Sequence, residues 1–498
     1  MTSKGMNVQS PGKARSAFTA VITVAMLGSC AVGPDFKRPA APDVTGYTAG
    51  PSIAATAAAA AQGIEPQRFA QDRDIPADWW TLFRCEALNR LIGQALRGNP
   101  DFEAAQAALR QANETVLAGR GALFPAANLS LQAGRERLAG AVIGQRNFAP
   151  TFSVVTALLD VSYAPDVFGG TRRQVESLAA RAEYEDFALK ATYITLTSNL
   201  VIAAVQEAAL RGQIAATEEI LRSQSAELDL VEQKFRVGVV SQSEVLLQEA
   251  MLDQTRATLP TLRKQLSAVR NELAALTGSF PGQAGEESFD FAALTLPLEL
   301  PVSLPSRLVE QRPDVREAEA ALHAASAELG VAVADQLPQF SITAGLGTTA
   351  AGFADLPGTR VWNLAAGLGQ PLFDAGSLLH RKRAAAAALD RAAAQYRSTV
   401  IRAFQDVADV LHALQADADD LIAQDAAERS ARASLELAQR QFHAQTVDQL
   451  AVLTAEAIWQ QARIRRIQAQ ANRYVDTAAL FQALGGGWWH QADARQAH

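Results

Sequence analysis

Two long stretches of the chain repeat apolar residues at alternating spacings of three and four. The first seam runs from Leu189 to Phe235, and the polar residues that interrupt it are Glu207, Thr217 and Gln224. The second runs from Leu389 to Phe442, and its interruptions are Asp417, Gln424 and Glu428. A repeat of about 3.5 residues kept this long predicts paired helices with a left-handed supercoil. A helix over residues 171–235 would be about 100 Å long.

The helix that follows the first seam carries an apolar residue every seven positions, at Val245, Leu252, Leu259, Leu266 and Leu273. Pro260 lies inside this run. Because proline removes a backbone donor and its ring clashes with the carbonyl four residues earlier, we expect a kink or break there.

Four shorter segments alternate apolar residues with small or polar ones, over residues 129–133, 155–163, 340–346 and 362–368. A period of two with one apolar face is typical of transmembrane barrel strands, although each segment alone is a weak signal. Four strands cannot close a barrel, and open sheet edges are not tolerated in lipid. If they cross a membrane, the chain must oligomerise: two chains would fill a barrel with side chains, and three would leave a lumen.

The chain is an internal duplication. Asn99-Pro100-Asp101 matches Arg312-Pro313-Asp314, and Leu123-Phe124-Pro125 matches Gln336-Leu337-Pro338 at the same offset. Each half reads helix, strand, strand, long helix, turn, long helix, so the sequence predicts a first repeat and a second repeat joined by a Pro-rich segment and followed by a C-terminal tail. The predicted bounds are 79–280, 307–484, 281–306 and 485–498, respectively.

The N-terminus has the pattern of an export signal. Basic residues precede an apolar run over residues 17–27, which is too short to be a transmembrane helix. Residues 27–30, Leu-Gly-Ser-Cys, resemble a bacterial lipobox. That resemblance implies removal of residues 1–29 and acyl chains on Cys30, which would give a stable membrane anchor. Residues 30–78, rich in Ala, Pro, Gly and Thr, are expected to form an extended segment, with ordered structure beginning near Trp79.

Composition removes several classes of function. Aromatic residues are 6% and mean hydropathy is +0.00, which argues against a bundle of membrane helices. The net charge is -7, and no long basic run points to nucleic acid. The sequence shows no metal-binding His pair, nucleophile elbow or phosphate loop, so we expect no enzyme, no metal and no cofactor other than the lipid on Cys30. With Cys30 lipidated, Cys85 is a lone thiol, and we expect it to be a small buried residue rather than a reactive one.

Several short motifs together resemble the outer-membrane efflux channels of the TolC/OprM type, in the NodT-like lipoprotein group. They are Cys30-Ala31-Val32-Gly33-Pro34-Asp35-Phe36, Trp79-Trp80-Thr81-Leu82-Phe83, Asp166-Val167-Phe168-Gly169, Gln311-Arg312-Pro313-Asp314, Pro371-Leu372-Phe373-Asp374 and Ala483-Leu484-Gly485-Gly486-Gly487-Trp488. The resemblance implies a mainly α protein with a membrane β-barrel: a homotrimer with one twelve-strand barrel in outer-membrane lipid and a long α-helical coiled-coil tunnel extending into the periplasm. An inner-membrane efflux pump and a periplasmic adaptor would be its partners.

The same resemblance implies functional residues at the helix tips. The turn Arg236-Val237-Gly238-Val239 matches the position where the adaptor docks. In the second half, Gln445 stands where the family usually has glycine, so we expect that turn to be shaped differently. Leu450 matches an apolar position of the periplasmic gate, and Thr454 falls where many members have a gating Asp. Asp448 or Glu456 would then supply the gate's charge, and a solvated helix face is an equal alternative.

The strand-to-helix junctions carry a second set of candidates. They are Asp166, Phe168 and Gly169 in the first half and Phe373, Asp374 and Gly376 in the second. The chain must change direction there, and glycine allows unusual dihedral angles. We expect a structural role for these residues, with Asp166 and Asp374 capping the helices that follow.

One other class of protein fits the same features. A lipid-anchored periplasmic coiled-coil adaptor or scaffold would need no pore. Adaptors typically have one helical hairpin, whereas this chain has two hairpins and two strand pairs, which favours the channel.

Overall fold

The computed structural model describes residues 31–48, 54–57, 65–71, 73–137, 149–283 and 287–490. The predicted export signal, the lipidation site Cys30 and the last eight residues lie outside the described residues. Residues from Ala31 onward are already packed, well before the predicted start of ordered structure near Trp79. Strand β1 (Arg68–Gln71) already pairs in parallel with β4 (Glu299–Val302).

The first repeat contains two helices, two strands and a helical hairpin. Their bounds are α1 (Glu86–Gly98), α2 (Pro100–Gly121), β2 (Ala126–Arg137), β3 (Thr151–Tyr163), α3 (Gly170–Arg236), α4 (Gln242–Arg256) and α5 (Thr258–Leu276). The second repeat follows the same order. Its bounds are α6 (Pro305–Gln311), α7 (Pro313–Ala334), β5 (Gln339–Ala350), β6 (Thr359–Gly369), α8 (Ser377–His443) and α9 (Gln449–Ala483). The two longest helices, α3 and α8, each have 67 residues, as their seams predict.

Proline sets the helix boundaries that the sequence marked. Pro100 and Pro313 begin α2 and α7, directly after α1 and α6 end, because proline suits the first helical turn. Pro260 places the break between α4 and α5. The clash with the carbonyl four residues earlier falls on Arg256, the last residue of α4. The predicted break is therefore confirmed.

The four predicted barrel strands form one antiparallel sheet in the order β2-β3-β5-β6. A row of apolar side chains crosses one face of the sheet at equivalent register: Leu129, Leu159, Leu346 and Trp362. All four are exposed, Leu129 by 79% and Trp362 by 77%. The adjacent row on the opposite face is polar or small: Asn128, Asp160, Gly345 and Asn363. The alternation in the sequence thus becomes two faces of opposite character.

The chain divides into two compact units. The first, made up of the described residues within 31–38, 109–184 and 318–396, contains the sheet and packs its helices through small buried residues such as Ala180 and Ala327. The second, made up of the described residues within 39–108, 185–317 and 397–490, has an aromatic core. Within it, Trp79 is fully buried and stacks on Phe481 with ring centroids 5.0 Å apart.

Polar residues in the helical seams lie inside the second unit. Glu207, Thr217 and Gln224, which interrupt the first seam, are all buried. The carboxylate of Glu207 accepts a hydrogen bond from Arg270 Nε at 3.1 Å. Burial raises the pKa of Glu207, although its pairing with Arg270 opposes that shift. The seam is therefore a helix interface with built-in polar contacts, which specify register at some cost in stability.

Candidate functional site

The first tip turn lies between α3 and α4 and contains the predicted docking residues. The N–H of Gly238 donates to the carbonyl of Phe235 at 2.9 Å, and that of Val239 donates to Lys234 at 2.9 Å. These two bonds form a Schellman motif, which requires a left-handed residue after the helix. Gly238 supplies it with a φ of 75°. Val237 and Val239 are 74% and 68% exposed, so the turn presents an apolar tip.

The second tip turn, between α8 and α9, has the same geometry. Gln445 N–H donates to Phe442, and Thr446 N–H donates to Gln441, both at 2.9 Å. Gln445 adopts the left-handed conformation with a φ of 59°, although it has a side chain. The expectation of a differently shaped turn is wrong, because the hydrogen bonds impose the conformation even without glycine.

The four gate candidates do not lie together. Asp448 is the N-cap of α9, where its carboxylate accepts a hydrogen bond from Ala451 N–H at 3.0 Å. Leu450 and Thr454 are exposed and, with Leu247 and Met251 of α4, line a groove of about 570 Å³. The Thr454 hydroxyl donates to the Leu450 carbonyl at 2.8 Å. No acidic side chain is among the described residues that line this groove.

Glu456 is different, because it faces the interior of the helical assembly. It is 2% exposed, and Gln460 Nε2 donates to its carboxylate at 3.5 Å. Burial raises the pKa of Glu456 to about 7, and repulsion from Glu227 of α3 contributes. Glu227 also has a raised pKa, chiefly through burial, while hydrogen bonds from Gln248 and Gln439 and the nearby His443 oppose it.

A glutamine contact joins the two hairpins beside these carboxyls. The Nε2 atom of Gln449 in α9 is 3.4 Å from Oε1 of Gln248 in α4. Both side chains are buried. The tip is therefore held by a polar contact between the two hairpins as well as by apolar packing.

The strand-to-helix junctions are capped as the sequence predicted. Asp166 accepts hydrogen bonds from the N–H groups of Thr171 and Arg172, at 3.0 and 2.8 Å. Asp374 accepts from the N–H groups of Gly376 and Leu378. Those backbone bonds, that from Leu378 foremost, lower the pKa of Asp374.

Backbone conformation turns the chain at the same junctions. Gly169 and Gly376 have φ angles of 80° and 83°. The two phenylalanines differ: Phe168 lies 6.4 Å from Phe340 between ring centroids, whereas Phe373 is exposed. The junction motifs thus share a backbone role but not side-chain contacts.

The segment directly after Cys30 packs against the first of these junctions. Ala31 lies against Gly169, and Val32 N–H donates to the Phe168 carbonyl at 3.0 Å. The buried guanidinium of Arg173 donates to the Val32 carbonyl through Nε and to the Asp35 carboxylate through Nη2, at 3.1 and 2.6 Å. This contact fixes the chain end that leads to the predicted lipidation site.

The same segment also contacts the second repeat. Phe36 stacks on His323 of α7 with centroids 4.3 Å apart and planes 14° apart. His323 Nε2 lies 2.9 Å from Glu176 of α3, which also pairs with Arg173. Partial burial raises the pKa of Glu176, but hydrogen bonds from Arg173 and His323 outweigh it and lower that pKa. Residues 31–38 therefore strap α3 to α7.

Residues 485–490 fold back onto the second unit and form a C-terminal clasp. The sequence analysis missed this contact and assigned these residues to a tail. Gly485, Gly486 and Gly487 all have positive φ and turn the chain back. Trp488 Nε1 then donates to the Gln311 carbonyl at 2.6 Å, and Trp489 Nε1 donates to Asp74 at 3.0 Å. Three consecutive glycines followed by two tryptophans were the available signal, because such aromatics rarely sit in a free tail.

Comparisons with known proteins agree with this architecture. The family model for outer membrane efflux proteins matches residues 91–279 and 304–486. The pyoverdine export outer membrane protein OpmQ of Pseudomonas putida is 30% identical over 84% of this chain and 89% of its own length. The cation efflux system protein CusC of Escherichia coli is 27% identical over 94% of this chain and 97% of its own. The structure of the outer-membrane channel OprN superposes with a TM-score of 0.81 at 28% identity, covering 92% of this chain and 100% of that one.

The chain belongs to the outer membrane efflux protein family. Its fold is that of the TolC/OprM-type channels, with a helical tunnel joined to a membrane barrel. The protein is an outer-membrane efflux channel, and its helices extend into the periplasm.

Proposed function

We propose that three copies of this chain form the channel, as the exit duct of a tripartite system with a periplasmic adaptor and an inner-membrane pump. The observation that carries the trimer is the sheet itself. Among the described residues, β2 and β6 each have one unpaired edge, and the exposed face between them is apolar. Unpaired backbone groups are not stable in lipid, so the edges must pair with other copies. Twelve strands would close a barrel wide enough to leave a lumen.

Conduction through this channel is passive. Energy and selection of the exported compound come from the inner-membrane pump. The adaptor docks on the exposed tip residues Arg236, Val237, Gly238 and Val239, where the valine side chains offer an apolar surface. Docking shifts the two hairpins relative to each other and opens the tip, with Leu450 and Thr454 at the moving face and Asp448 and Glu456 controlling helix ends and packing.

We also propose that Cys30 carries the lipid anchor. Its neighbour Ala31 lies against Gly169, where strand β3 gives way to helix α3. Acyl chains attached there would enter the bilayer beside the helix-proximal end of the barrel. The strap residues 31–38 would then transmit the anchor's position to both repeats.

The first test is the oligomeric mass of the protein extracted from outer membranes in mild detergent, followed by complementation of an efflux-deficient strain. A trimer that restores efflux supports the proposal. A monomer, or a protein that leaves the membrane without detergent once its lipid is removed, would instead support a pore-free coiled-coil scaffold.

A further inference from the structure

Arginines extend the apolar face of both edge strands. Along β2 the outward residues are Leu129, Leu131, Ala133, Arg135 and Arg137, and along β6 they are Leu368, Ala366, Leu364, Trp362 and Arg360. In each strand the arginine follows the last apolar residue, at the end of the strand that leads into a hairpin loop rather than a helix. Since the helices extend into the periplasm, this end faces the cell exterior.

The three guanidinium groups are exposed and available to a ligand. Arg135, Arg137 and Arg360 are exposed, and among the described residues no hydrogen bond or ion pair engages them. The described residues around these strand ends, 134–137, 149–153 and 348–361, include only two acids. One of these, Glu136, alternates with Arg135 and Arg137 and so points to the opposite face of the sheet. Among the described residues, this end of the sheet is therefore positive on its outward face, although the chain has a net charge of -7.

This position suits recognition of phosphate at a membrane surface. Outward charges are poorly tolerated near the middle of the bilayer and well tolerated at its interface, where these arginines follow the apolar band. Guanidinium binds phosphate through paired N–H donors and is weakly hydrated, so it fits a lipid headgroup better than a lysine ammonium does. Basic clusters at this depth attract anionic lipids.

The two parts of the arginine set lie on opposite edges of one sheet. Arg135 and Arg137 belong to β2, and Arg360 belongs to β6, with β3 and β5 between them. In the proposed trimer, β6 of one copy pairs with β2 of the next. That pairing brings Arg360 of one copy toward Arg135 and Arg137 of its neighbour, so the set is completed only at the seam.

We propose that each subunit seam binds a phosphorylated glycolipid of the outer leaflet, with two arginines from one copy and one from the next. This inference rests on the proposed trimer. The ligand is the lipid rather than a free anion, because the guanidinium groups continue an apolar surface that would contact acyl chains.

Binding of diphosphorylated lipid A to the detergent-solubilised trimer tests the proposal, with dephosphorylated lipid A and inorganic phosphate as separate probes. We expect the wild-type trimer to prefer the phosphorylated lipid. The triple variant R135Q/R137Q/R360Q should bind it about 100-fold more weakly, and Arg360→Gln alone about fivefold, from the usual contribution of each basic residue at a membrane surface. Glu136→Gln is the matched control, since it raises the net charge without altering the outward face and should leave binding unchanged.

Oligomeric mass and channel conductance are measured on the same samples. A triple variant that remains trimeric and binds phosphorylated lipid A as tightly as wild type would overturn the inference and leave the channel intact. Equal binding of inorganic phosphate and of the lipid would overturn the lipid assignment. Absence of a wild-type trimer would instead refute the proposed function. If the triple variant fails to assemble, Arg360→Gln alone still decides the outcome.

Discussion

The two helix tips reach the same turn with different residues. The α3–α4 turn has Gly238 at its left-handed position, and the α8–α9 turn has Gln445 there, yet both close with the same pair of hydrogen bonds. Glutamine in this conformation carries a backbone cost that glycine avoids. The two repeats therefore share the hydrogen bonds of the turn. They do not share the glycine that adopts the left-handed conformation without a backbone cost.

The helices that leave the turns differ more than the turns do. The first hairpin returns as α4 and α5, separated at Ala257, whereas the second returns as the uninterrupted α9. The buried carboxyl of Glu456 is on the continuous helix. The first hairpin therefore has a break in its returning helix, whereas the second has a continuous returning helix that packs around a buried carboxyl group.

The largest expected effect comes from joining the hairpins. Replacing Gln248 and Gln449 by cysteines and linking them with a short thiol-reactive crosslinker should abolish efflux, because the tip opens only if the hairpins separate. Reversal with a cleavable crosslinker should restore it. Efflux is measured by accumulation of a fluorescent pump substrate in cells.

Each single cysteine variant treated with the same reagent is the control for the crosslink. Trimer yield should be the same in all samples. Undiminished efflux with the crosslink quantitatively formed would show that the gate lies elsewhere.

The buried carboxyl of the second hairpin predicts a dependence on pH. The pKa of Glu456 is raised to about 7 in the folded protein, so its neutral form stabilises the tip at low pH. That stability is fully present below the ordinary pKa of glutamate and is lost as the pH rises through about 7. Glu456→Gln should flatten this dependence and stabilise α9 at pH 8 by about 1–3 kcal/mol.

The effect is measured by hydrogen exchange, as the protection factors of the α9 amides at pH 5.5 and at pH 8. Glu227 of α3 raises the pKa of Glu456, and His443 acts in turn on Glu227, so Glu227→Gln should reproduce part of the change. Exposed Glu249 offers a control, and Glu249→Gln should leave the profile as in wild type. Identical protection factors for these amides at both pH values in wild type would contradict the prediction.

Exchanging the turn residues isolates the backbone cost. A side chain at Gly238 would meet no atom within 4 Å, so Gly238→Ala should destabilise the first tip by about 1–2 kcal/mol through its positive φ alone. Gln445→Gly should stabilise the second tip by about 1 kcal/mol, since it removes the same cost. Local hydrogen exchange around each turn reports both changes. We expect the two substitutions to change local stability in opposite directions. A change in the same direction at both tips would refute the backbone cost assigned to Gln445.

The smallest effects concern the caps that begin α4 and α9. Ser241 and Glu244 form a capping box on α4, and Asp448 caps α9. Asp448→Ala should increase exchange at the start of α9, corresponding to about 1 kcal/mol, while Asp448→Asn should retain the cap. If Asp448 also acts as a gate charge, Asp448→Asn will change single-channel conductance without changing exchange.

The sequence predicted the elements well because their periodicities are long and regular. The seams gave α3 and α8, Pro260 marked the break after α4, and four alternating segments gave the sheet. The caps at Asp166 and Asp374 were also predictable, since they depend on backbone donors a few residues away. Interactions at such short range leave a pattern in the sequence.

Contacts between distant segments were not predictable. No local pattern indicated that Phe36 stacks on His323, that Arg173 holds Asp35, or that Trp489 reaches Asp74. The gate candidates show the same limit: helical spacing placed Leu450, Thr454 and Glu456 near one another, but the packing of α3 and α4 decided which are exposed and which are buried.

The sequence by itself determined the elements of this channel, their duplication and the opposite faces of its strands, because these follow from spacing along one chain. Tertiary structure alone decided that the segment after Cys30 straps two repeats, that Gln445 adopts a left-handed turn and that Glu456 is buried beside Glu227. Each of these depends on what another segment places against the residue, and burial, hydrogen-bond geometry and electrostatic repulsion exist only once the segments have packed.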